Sequence, residues 1–316
     1  MNDSVLYAPD LFGSSSAPKA SGPVAEKFLF PPFTVLDARS GEWQERKRAW
    51  ASLGMKSEVG RSDELAYSGA AKSFDYYRQK EGLRETSQEQ GTSIFDPALC
   101  EAAYRWFCGA GGQVVDPFAG GSVRGIVAAQ LGLDYWGCDL RAEQIEANRA
   151  QAETICAGNK PQWVCGDSME TLASAPAADF IFSCPPYGDL EVYSDDPADL
   201  SNMEWHTFVA AYKRIILRAV GKLKDDRFAC FVVGDFRDPK GFYRDFVSTT
   251  IRAFEECGAR LYNEAILVTS VGSASMRVTK QFDASRKMAK THQNVLVFCK
   301  GDPRKAAAAC VGSESP

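Results

Sequence analysis

From about Ser93 onward, short apolar runs alternate with longer stretches in which apolar residues recur every three or four positions. The longer stretches predict amphipathic helices, for example GGSVRGIVAAQLG, RAEQIEANRAQAETI, WHTFVAAYKRIILRAVGKL and FYRDFVSTTIRAFEECG. The short runs predict strands, namely GQVVDPF, DYWGCDL, QWVCGD, DFIFSCPPY, DRFACFVVGD, RLYNEAILVTS and QNVLVFCKG. Strands that alternate with helices predict an α/β fold, a doubly wound and mostly parallel sheet with an antiparallel final strand pair.

The first 90 residues lack this alternation. Residues 1 to about 30 are rich in Ser, Ala, Pro and Gly, and residues 33–61 mix aromatic side chains with a cluster of basic ones. We therefore predict three parts: an N-terminal leader with a basic-aromatic segment over 1–90, the α/β domain over 91–302, and a C-terminal tail over 303–316.

The cysteine spacing, the length of the apolar runs and the net charge disfavour several classes of protein. The ten cysteines of this 316-residue chain are scattered and form no CxxC pair, which favours free thiols in a reducing cytoplasm over disulfides or a metal site. No apolar run is long enough for a bilayer span, and the N-terminus lacks the pattern of a signal peptide. The net charge is −5, so a polyanion would have to bind through a local basic patch. We predict a cytoplasmic protein with no metal and no membrane association.

Candidate ligand-binding residues stand at the ends of the first three predicted strands. The run Asp116–Ser122, DPFAGGS, joins the first strand to a helix, and its glycines allow a ligand to approach the backbone. Asp139 closes the second strand, where a carboxylate suits the two hydroxyls of a ribose, and Asp167 closes the third, within reach of an adenine amine. Each acid alone is more often a helix N-cap, and glycine turns are common in α/β proteins. GGSVRG is a poor match to the GxGxxG pattern of a dinucleotide site.

The fourth strand ends in an unusual way, at Cys184-Pro185-Pro186-Tyr187. Proline cannot donate a ladder hydrogen bond, so the pair ends the strand and stiffens the loop that presents the tyrosine. The alternative for Tyr187 is a buried aromatic cap on the sheet.

DPFAGGS followed by CPPY resembles the motif pair of the S-adenosylmethionine-dependent amino-methyltransferases of DNA, which form N6-methyladenine or N4-methylcytosine. The resemblance covers roughly residues 93–301. It extends to SIFDPALCEAAYRWF, before the first motif, and to the closing strand THQNVLVFCKG. It implies a Rossmann-like methyltransferase sheet, S-adenosylmethionine as cofactor and DNA, most simply double-stranded, as partner. The oligomeric state, a homodimer included, and a restriction enzyme partner stay open.

The resemblance also implies roles for individual residues. The carbonyl of Pro185 and the side chain before it would accept hydrogens from the target amine, and Tyr187 would stack on a base rotated out of the duplex. Ser122 replaces the last glycine of the cofactor motif, which is tolerable if its φ is negative. The implied cofactor contacts are Phe95, Asp96, Asp116, Phe118, Ala119, Gly120, Gly121, Ser122, Asp139, Leu140, Asp167 and Ser168.

Cys184 departs from the family pattern, which has Asp, Asn or Ser at this position. A thiol is a weak acceptor, and Ser183 stands one residue too early to replace it, leaving the Pro185 carbonyl with Asp189 or Glu191 to hold the amine. The small side chain is closer to the Ser of cytosine N4 enzymes, so cytosine is slightly favoured and adenine stays open. A covalent role, as in cytosine C5 enzymes, is disfavoured because there the cysteine follows the proline.

No large recognition domain fits between or after the motifs, so DNA contacts must come from smaller segments. The acidic stretch 188–205 would repel phosphates unless it moves or orders over the base. Charge runs are often only solvated surface. The implied DNA contacts are two basic groups, Arg46, Lys47 and Arg48 in the N-terminal segment and Arg277, Lys280, Arg286, Lys287 and Lys290 before the last strand.

The sequence thus predicts a methyltransferase acting on N4 of cytosine or N6 of adenine after base flipping. Two alternatives remain open. The same fold could act on RNA or on a protein amide, or it could bind the cofactor without catalysis.

Overall fold

The computed structural model describes residues 28–55, 95–188, 196–271 and 274–311, without the side chains of 274–277. Its strands are β1 Val35–Asp37, β2 Gln113–Asp116, β3 Asp134–Asp139, β4 Gln162–Cys165, β5 Ala178–Ser183, β6 Leu223–Val233, β7 Ala259–Val268 and β8 His292–Lys300. Its α-helices are α1 Gly41–Ser52, α2 Pro97–Phe107, α3 Val123–Gln130, α4 Ala142–Ile155, α5 Ser168–Thr171, α6 Trp205–Lys222, α7 Phe246–Glu256, α8 Ala274–Ser285 and α9 Pro303–Cys310.

All eight strands form one sheet in the order β1-β7-β8-β6-β5-β2-β3-β4. Only β8 runs against its neighbours, pairing antiparallel with both β6 and β7. The predicted doubly wound, mostly parallel sheet is therefore confirmed. Strand β1 was not predicted, because three residues are too few to show a pattern; it adds a parallel edge beside β7, with Val35 opposite Ile266.

The strand order has one reversal point, between β2 and β5. From β2 the chain continues outward through β3 and β4, and it then returns to β5 on the other side of β2. Open α/β sheets bind ligands in the crevice outside the carboxyl ends of the strands at such a point. The residues that follow Asp116 and Ser183 therefore meet where a ligand is expected.

The central strands are apolar on both faces because helices cover both. In β5, Phe180 and Phe182 pack with the helices α1 to α4 on one face, while Ile181 packs with α6 and α7 on the other. Successive side chains of a strand point to opposite faces, so a continuous apolar run fills two cores. Among the described residues, no helix combines the length and apolarity that a membrane span requires.

The N-terminal segment is part of the same core over residues 28–55. Helix α1 starts at a capping Ser40, whose Oγ accepts from the N–H of Trp43 at 3.4 Å. Trp43 and Trp50 are buried against α2. The predicted boundary near residue 90 does not separate this segment from the α/β domain.

The predicted tail also joins the fold. Helix α9, over Pro303–Cys310, packs on β6 and α2 and buries Ala306 completely. Its first turn is capped by Asp302, whose carboxylate accepts from the N–H of Arg304 at 2.8 Å. Because the helix covers the sheet, residues 303–310 belong to the α/β domain.

Candidate ligand site at the carboxyl edge of the sheet

Two loops leave the sheet side by side at the reversal point. Strand β2 ends at Asp116 and continues into the turn before α3, while β5 ends at Ser183 and continues into Cys184-Pro185-Pro186-Tyr187. The two strands are paired in parallel, with Val114 opposite Phe180. Both loops therefore start from one edge of the sheet, as the sequence motifs require.

A buried carboxylate connects the two loops. Asp116 has no exposed surface. Its Oδ1 accepts from the Oγ of Ser183 at 2.5 Å and from the N–H of Phe118 at 3.1 Å. Its Oδ2 accepts from the Nε of Arg124 at 2.6 Å and from the hydroxyl of Tyr135 at 2.7 Å. Because its four donors come from α3, β3, β5 and the turn itself, this group fixes both loops relative to the sheet.

Arg124 extends this network under the turn. Its Nη2 donates to the carbonyls of Phe118 and Ala119, at 2.5 and 3.0 Å. Its guanidinium lies 4.5 Å from the ring centre of Phe95. Burial by itself would lower the pKa of this side chain, but the carboxylate of Asp116 more than offsets it, and the pKa is raised above its ordinary value. The arginine stays charged and holds the backbone of the turn.

Asp116 is therefore a positioning residue in this structure, and a direct contact between it and the cofactor stays a prediction that its burial does not favour. The reason is burial, because a carboxylate inside the core must satisfy its charge with internal donors. Tyr135 is one of these internal donors. Burial raises the pKa of its hydroxyl, which therefore remains protonated and can donate.

The glycine turn leaves open space in front of the sheet. Gly120 has a φ of +51°, and a Cβ added there would meet no atom within 4 Å. Ser122 has a φ of −69°, so the replacement of the usual glycine causes no strain. Its hydroxyl is buried at the start of α3 and has no hydrogen-bond partner among the described residues. The turn thus combines an accessible backbone with an unused hydroxyl.

Asp139 lies beside this turn at the end of β3. Its Oδ2 accepts from the N–H of Gly120 and its Oδ1 from the N–H of Arg141, both at 3.0 Å. The side chain is half-buried, and burial raises its pKa although both backbone donors oppose this. A carboxylate held by one bond on each oxygen keeps further acceptor positions for a ligand.

Asp167 and Ser168 behave differently at the end of β4. Asp167 is half-buried and caps the short helix α5, accepting from the N–H of Met169 at 2.8 Å. Ser168 is buried and donates to the carbonyl of Pro117 at 2.5 Å, bracing the turn from below. Its hydroxyl braces the turn in this structure, so its contact with the cofactor stays a prediction. The implied contacts that keep part of their surface exposed are Phe95, Asp96, Phe118, Gly120, Gly121, Asp139, Leu140 and Asp167.

Asp96 has a structural function that the sequence analysis did not assign. Its Oδ1 caps α2 by accepting from the N–H groups of Ala98 and Leu99, at 2.9 and 3.3 Å. Its Oδ2 accepts from the indole of Trp43 at 3.1 Å. These bonds fix the start of α2 and, through it, the neighbouring Phe95.

The second loop presents Tyr187 on a braced support. Its hydroxyl accepts from the Nε2 of Gln293 at 2.8 Å and lies 3.8 Å from the Sγ of Cys184. Its ring contacts Phe246 edge-on, with centroids 6.0 Å apart, and is tilted against Phe236 at 6.3 Å. The ring remains half-buried, so it is both anchored and partly accessible.

Ser183 cannot take the place of the missing acceptor, because its hydroxyl points into the core toward Asp116. Cys184 and Pro186 are half-buried at the edge, and Pro185 is buried. Asp189 and Glu191, which were expected to assist, lie outside the described residues.

Of the first basic group, Arg46 does not face solvent. It is 6% exposed and donates two hydrogen bonds of 2.6 Å to Glu101, which also accepts from Trp50. The prediction that Arg46 contacts DNA is wrong, because a buried carboxylate recruits it. Lys47 lies 3.8 Å from Asp96, and Arg48 is exposed.

The second basic group lies on helix α8 and on the residues that follow it, a helix that the sequence analysis does not predict. Lys280 is exposed on α8, and Arg286 is exposed with a φ of +55°. Lys287 and Lys290 are half-buried, and burial lowers the pKa of Lys290. The side chain of Arg277 lies outside the described residues.

Sequence reasoning missed the partners that support the site. Arg124 and Tyr135 carry no motif of their own. Phe236, which contacts Tyr187, lies between the predicted strand and the predicted helix that follows it, in a segment to which the sequence analysis assigns no element. The letters DPKG within that segment are a turn signal that could have been recognised.

Comparison with protein-family models and with curated proteins gives no match. Among solved structures, the chain is similar to TrmN from Thermus thermophilus, at 14% identity over 65% of this chain and 48% of that one, with a TM-score of 0.43. It is similar to magnesium protoporphyrin IX methyltransferase (ChlM) from Synechocystis PCC 6803 with bound SAM, at 12% identity over 74% of this chain and 93% of that one, with a TM-score of 0.42. It is also similar to a TehB-like SAM-dependent methyltransferase from Corynebacterium glutamicum, at 18% identity over 73% of this chain and 100% of that one, with a TM-score of 0.39.

The chain thus spans about half the length of TrmN and nearly all of the other two proteins. At these identities and TM-scores, the similarity carries no argument about the reaction. One fold hosts many activities, so the function has to be argued from the site.

Asp116→Asn should lower the free energy of unfolding by about 3 kcal/mol or more, because it leaves Arg124 as a buried cation without its carboxylate. Urea unfolding followed by circular dichroism measures this. The control is Asp225→Asn, whose carboxylate is 83% exposed and 3.3 Å from Lys300. An exposed pair contributes about 1 kcal/mol at most. Equal losses for both variants would contradict the central role of Asp116.

Proposed function

We propose that this chain transfers a methyl group from S-adenosylmethionine to the exocyclic amino nitrogen of a DNA base, N4 of cytosine or N6 of adenine, after the base leaves the duplex. One observation carries the proposal. The DPFAGGS turn and the CPPY loop leave paired strands at the reversal point of the sheet, and Asp116 joins the turn to Ser183, the residue just before the CPPY loop. A cofactor turn and an amine-binding loop must meet in this way for direct transfer.

The residues beside the turn fit this cofactor. Asp139 offers acceptor positions to a ribose diol, and Gly120 leaves room for a ligand against the backbone. The start of α3, where Gly121 keeps part of its surface exposed, suits a carboxylate such as that of a methionine. When bound, S-adenosylmethionine supplies a methyl group on a positively charged sulfur, ready for a nucleophilic nitrogen.

The CPPY loop fits a planar amine as acceptor. Pro185 and Pro186 carry no N–H, so the backbone of this loop offers carbonyl oxygens, which accept hydrogens and keep electron density on the amine nitrogen. Tyr187 keeps part of its surface exposed, and its ring would stack on a base. The proton that the amine gives up passes to solvent, so no dedicated base is needed.

Cys184 favours a second candidate, a protein that binds the cofactor without transferring the methyl group. A thiol accepts hydrogen bonds weakly, and its contact with Tyr187 is a long one of 3.8 Å. RNA and protein amides are further acceptors, since a loop of carbonyls and one ring suits any planar amine or amide.

The test is transfer of a labelled methyl group by the purified protein to duplex DNA, RNA of the same sequence and a protein extract, followed by nucleoside mass spectrometry. Label in 4-methylcytosine or 6-methyladenine is expected. Asp139→Ala is the control, since its transfer should fall with its weaker cofactor binding, whereas a contaminating host enzyme would give the same transfer in both preparations. Label only in RNA or protein would contradict the DNA acceptor, and cofactor binding without any transfer would contradict catalysis.

Binding of S-adenosylmethionine should weaken as the pH falls through the pKa of Asp139. The ionised carboxylate accepts both ribose hydroxyls and the protonated form does not. Because burial raises this pKa, the loss should begin at a higher pH than for an ordinary aspartate, whose pKa is about 4. Calorimetric titration across this range measures it.

Asp139→Asn should bind the cofactor about tenfold more weakly or worse and lose this pH dependence. The matched control is Asp134→Asn, at the exposed amino end of the same strand, which should behave as the parent protein. An unchanged binding constant in Asp139→Asn would refute the ribose contact.

Cys184→Ser should raise turnover about fivefold, because a hydroxyl accepts a hydrogen bond from the amine better than a thiol does. Steady-state methylation rates measure this, and Cys165→Ser, at an exposed thiol on β4, is the control. Complete loss of activity in Cys184→Ser, with the fold intact, would instead indicate that the thiol is a nucleophile.

A further inference from the structure

The segment between β6 and α7 forms a tight hairpin, called here the β6–α7 hairpin, over residues 235–245. Arg237 and Tyr243 form an isolated bridge, and the N–H of Arg244 donates to the carbonyl of Phe236 at 2.9 Å. Strand β6 runs parallel to β5, so the hairpin stands on the same edge of the sheet as the CPPY loop. It belongs to neither sequence motif.

The turn of this hairpin is held in one conformation before any partner binds. The carboxylate of Asp238 accepts from the N–H of Phe242 at 2.9 Å, and its pKa is lowered by this bond first of all. Gly241 has a φ of +97°, and its carbonyl accepts from Arg237 at 2.8 Å. The guanidinium of Arg237 also covers the ring of Tyr243 at 4.0 Å. The turn therefore has little conformational entropy to lose when a partner binds.

The base of the hairpin is joined to the candidate site. Phe236 is 5% exposed and packs on Tyr187, while the carboxylate of Asp235 caps α7 by accepting from the N–H of Phe246 at 2.5 Å. The tip is therefore fixed in position relative to the loop that would hold the target amine.

The tip presents an aromatic side chain among cations. Phe242 is 71% exposed, the most exposed phenylalanine of the described residues, and Tyr243 beside it is 49% exposed. Lys240 is exposed in the same turn. The chain of Lys287 lies against Gly241, since a Cβ added there would be 2.5 Å from its Nζ. The whole chain has a net charge of −5, so this positive charge is local. Two lysines beside an exposed aromatic ring suit a polyanion that also carries flat apolar groups.

Room for a neighbouring group exists beside the tip. A cleft of about 270 Å³ lies between the hairpin and the turn after α8, and Tyr243, Gln281 and Lys290 are among its lining residues. A ring, an amide and a cation are the side chains that stack on bases and contact their edges or phosphates.

We propose that the β6–α7 hairpin is a DNA contact, in which Phe242 stacks on a base next to the target and Lys240 and Lys287 contact phosphates. The proposal rests on DNA as the acceptor in the proposed function. Rotation of one base out of the duplex exposes the faces of its neighbours, and an aromatic side chain that covers such a face offsets the lost stacking.

The test measures binding of a fluorescein-labelled duplex by anisotropy. Phe242→Ala should bind roughly tenfold more weakly or worse, and Phe242→Trp should bind as well as the parent protein, because any large ring restores stacking. Phe242 is exposed, so the variants should melt at the parent temperature and bind S-adenosylmethionine normally.

Phe33→Ala is the matched control. Phe33 is 68% exposed and precedes β1, at the amino edge of the parallel strands, away from the candidate site. It should leave DNA binding unchanged. The double variant Lys240→Ala and Lys287→Ala should reduce the slope of log binding constant against log salt by about 2.

Equal binding by Phe242→Ala and the parent protein would overturn the proposal, and so would a parent protein that binds no DNA. Failure of the proposed function gives a different result. A parent protein that binds DNA through Phe242 but transfers no methyl group would support this contact and contradict the catalytic proposal.

Discussion

A single buried carboxylate determines the geometry of the carboxyl edge. Asp116 lies at the reversal point of the sheet, where an ionised group is stable only if donors surround it. Ser183, Phe118, Arg124 and Tyr135 supply those donors from different elements. Since Phe118 lies in the first loop and Ser183 directly precedes the second, a shift at the start of either loop would break a bond to this buried carboxylate. The rest of the candidate site depends on that constraint.

Polar residues of this edge therefore fall into two layers. The inner layer, with Asp116, Arg124 and Ser168, is buried and holds backbone atoms in place. The outer layer, with Asp139 and Tyr187, keeps exposed surface while its orientation is fixed by hydrogen bonds. A rigid inner layer lets the outer groups meet a ligand without first being ordered, which is how preorganised sites gain affinity and rate.

The basic residues show that a charged side chain in a sequence can be either buried and paired or exposed to solvent. Arg46, Lys47 and Arg48 are adjacent in one helix, yet Arg46 is buried against Glu101 while Arg48 faces solvent. The partner that recruits Arg46 is 55 positions away, so no local pattern could have identified it. Near the other end of the chain, the sequence predicts Lys287 as a DNA contact, but only the fold places its side chain against Gly241.

Local pattern was enough to predict strands β2 to β8, helices α3, α4, α6 and α7 and the mostly parallel sheet, because apolar periodicity reports directly which faces are buried. It also placed Asp139 and Tyr187 at strand ends, since each follows an apolar run. Only the tertiary structure decided that Asp116 and Ser168 are buried braces, that Arg124 pairs with Asp116, and that residues 28–55 contribute to the core. The difference has one physical cause. Whether a segment forms a helix or a strand depends mainly on residues a few positions away. Burial, charge pairing and access to a ligand depend on residues that only folding brings together.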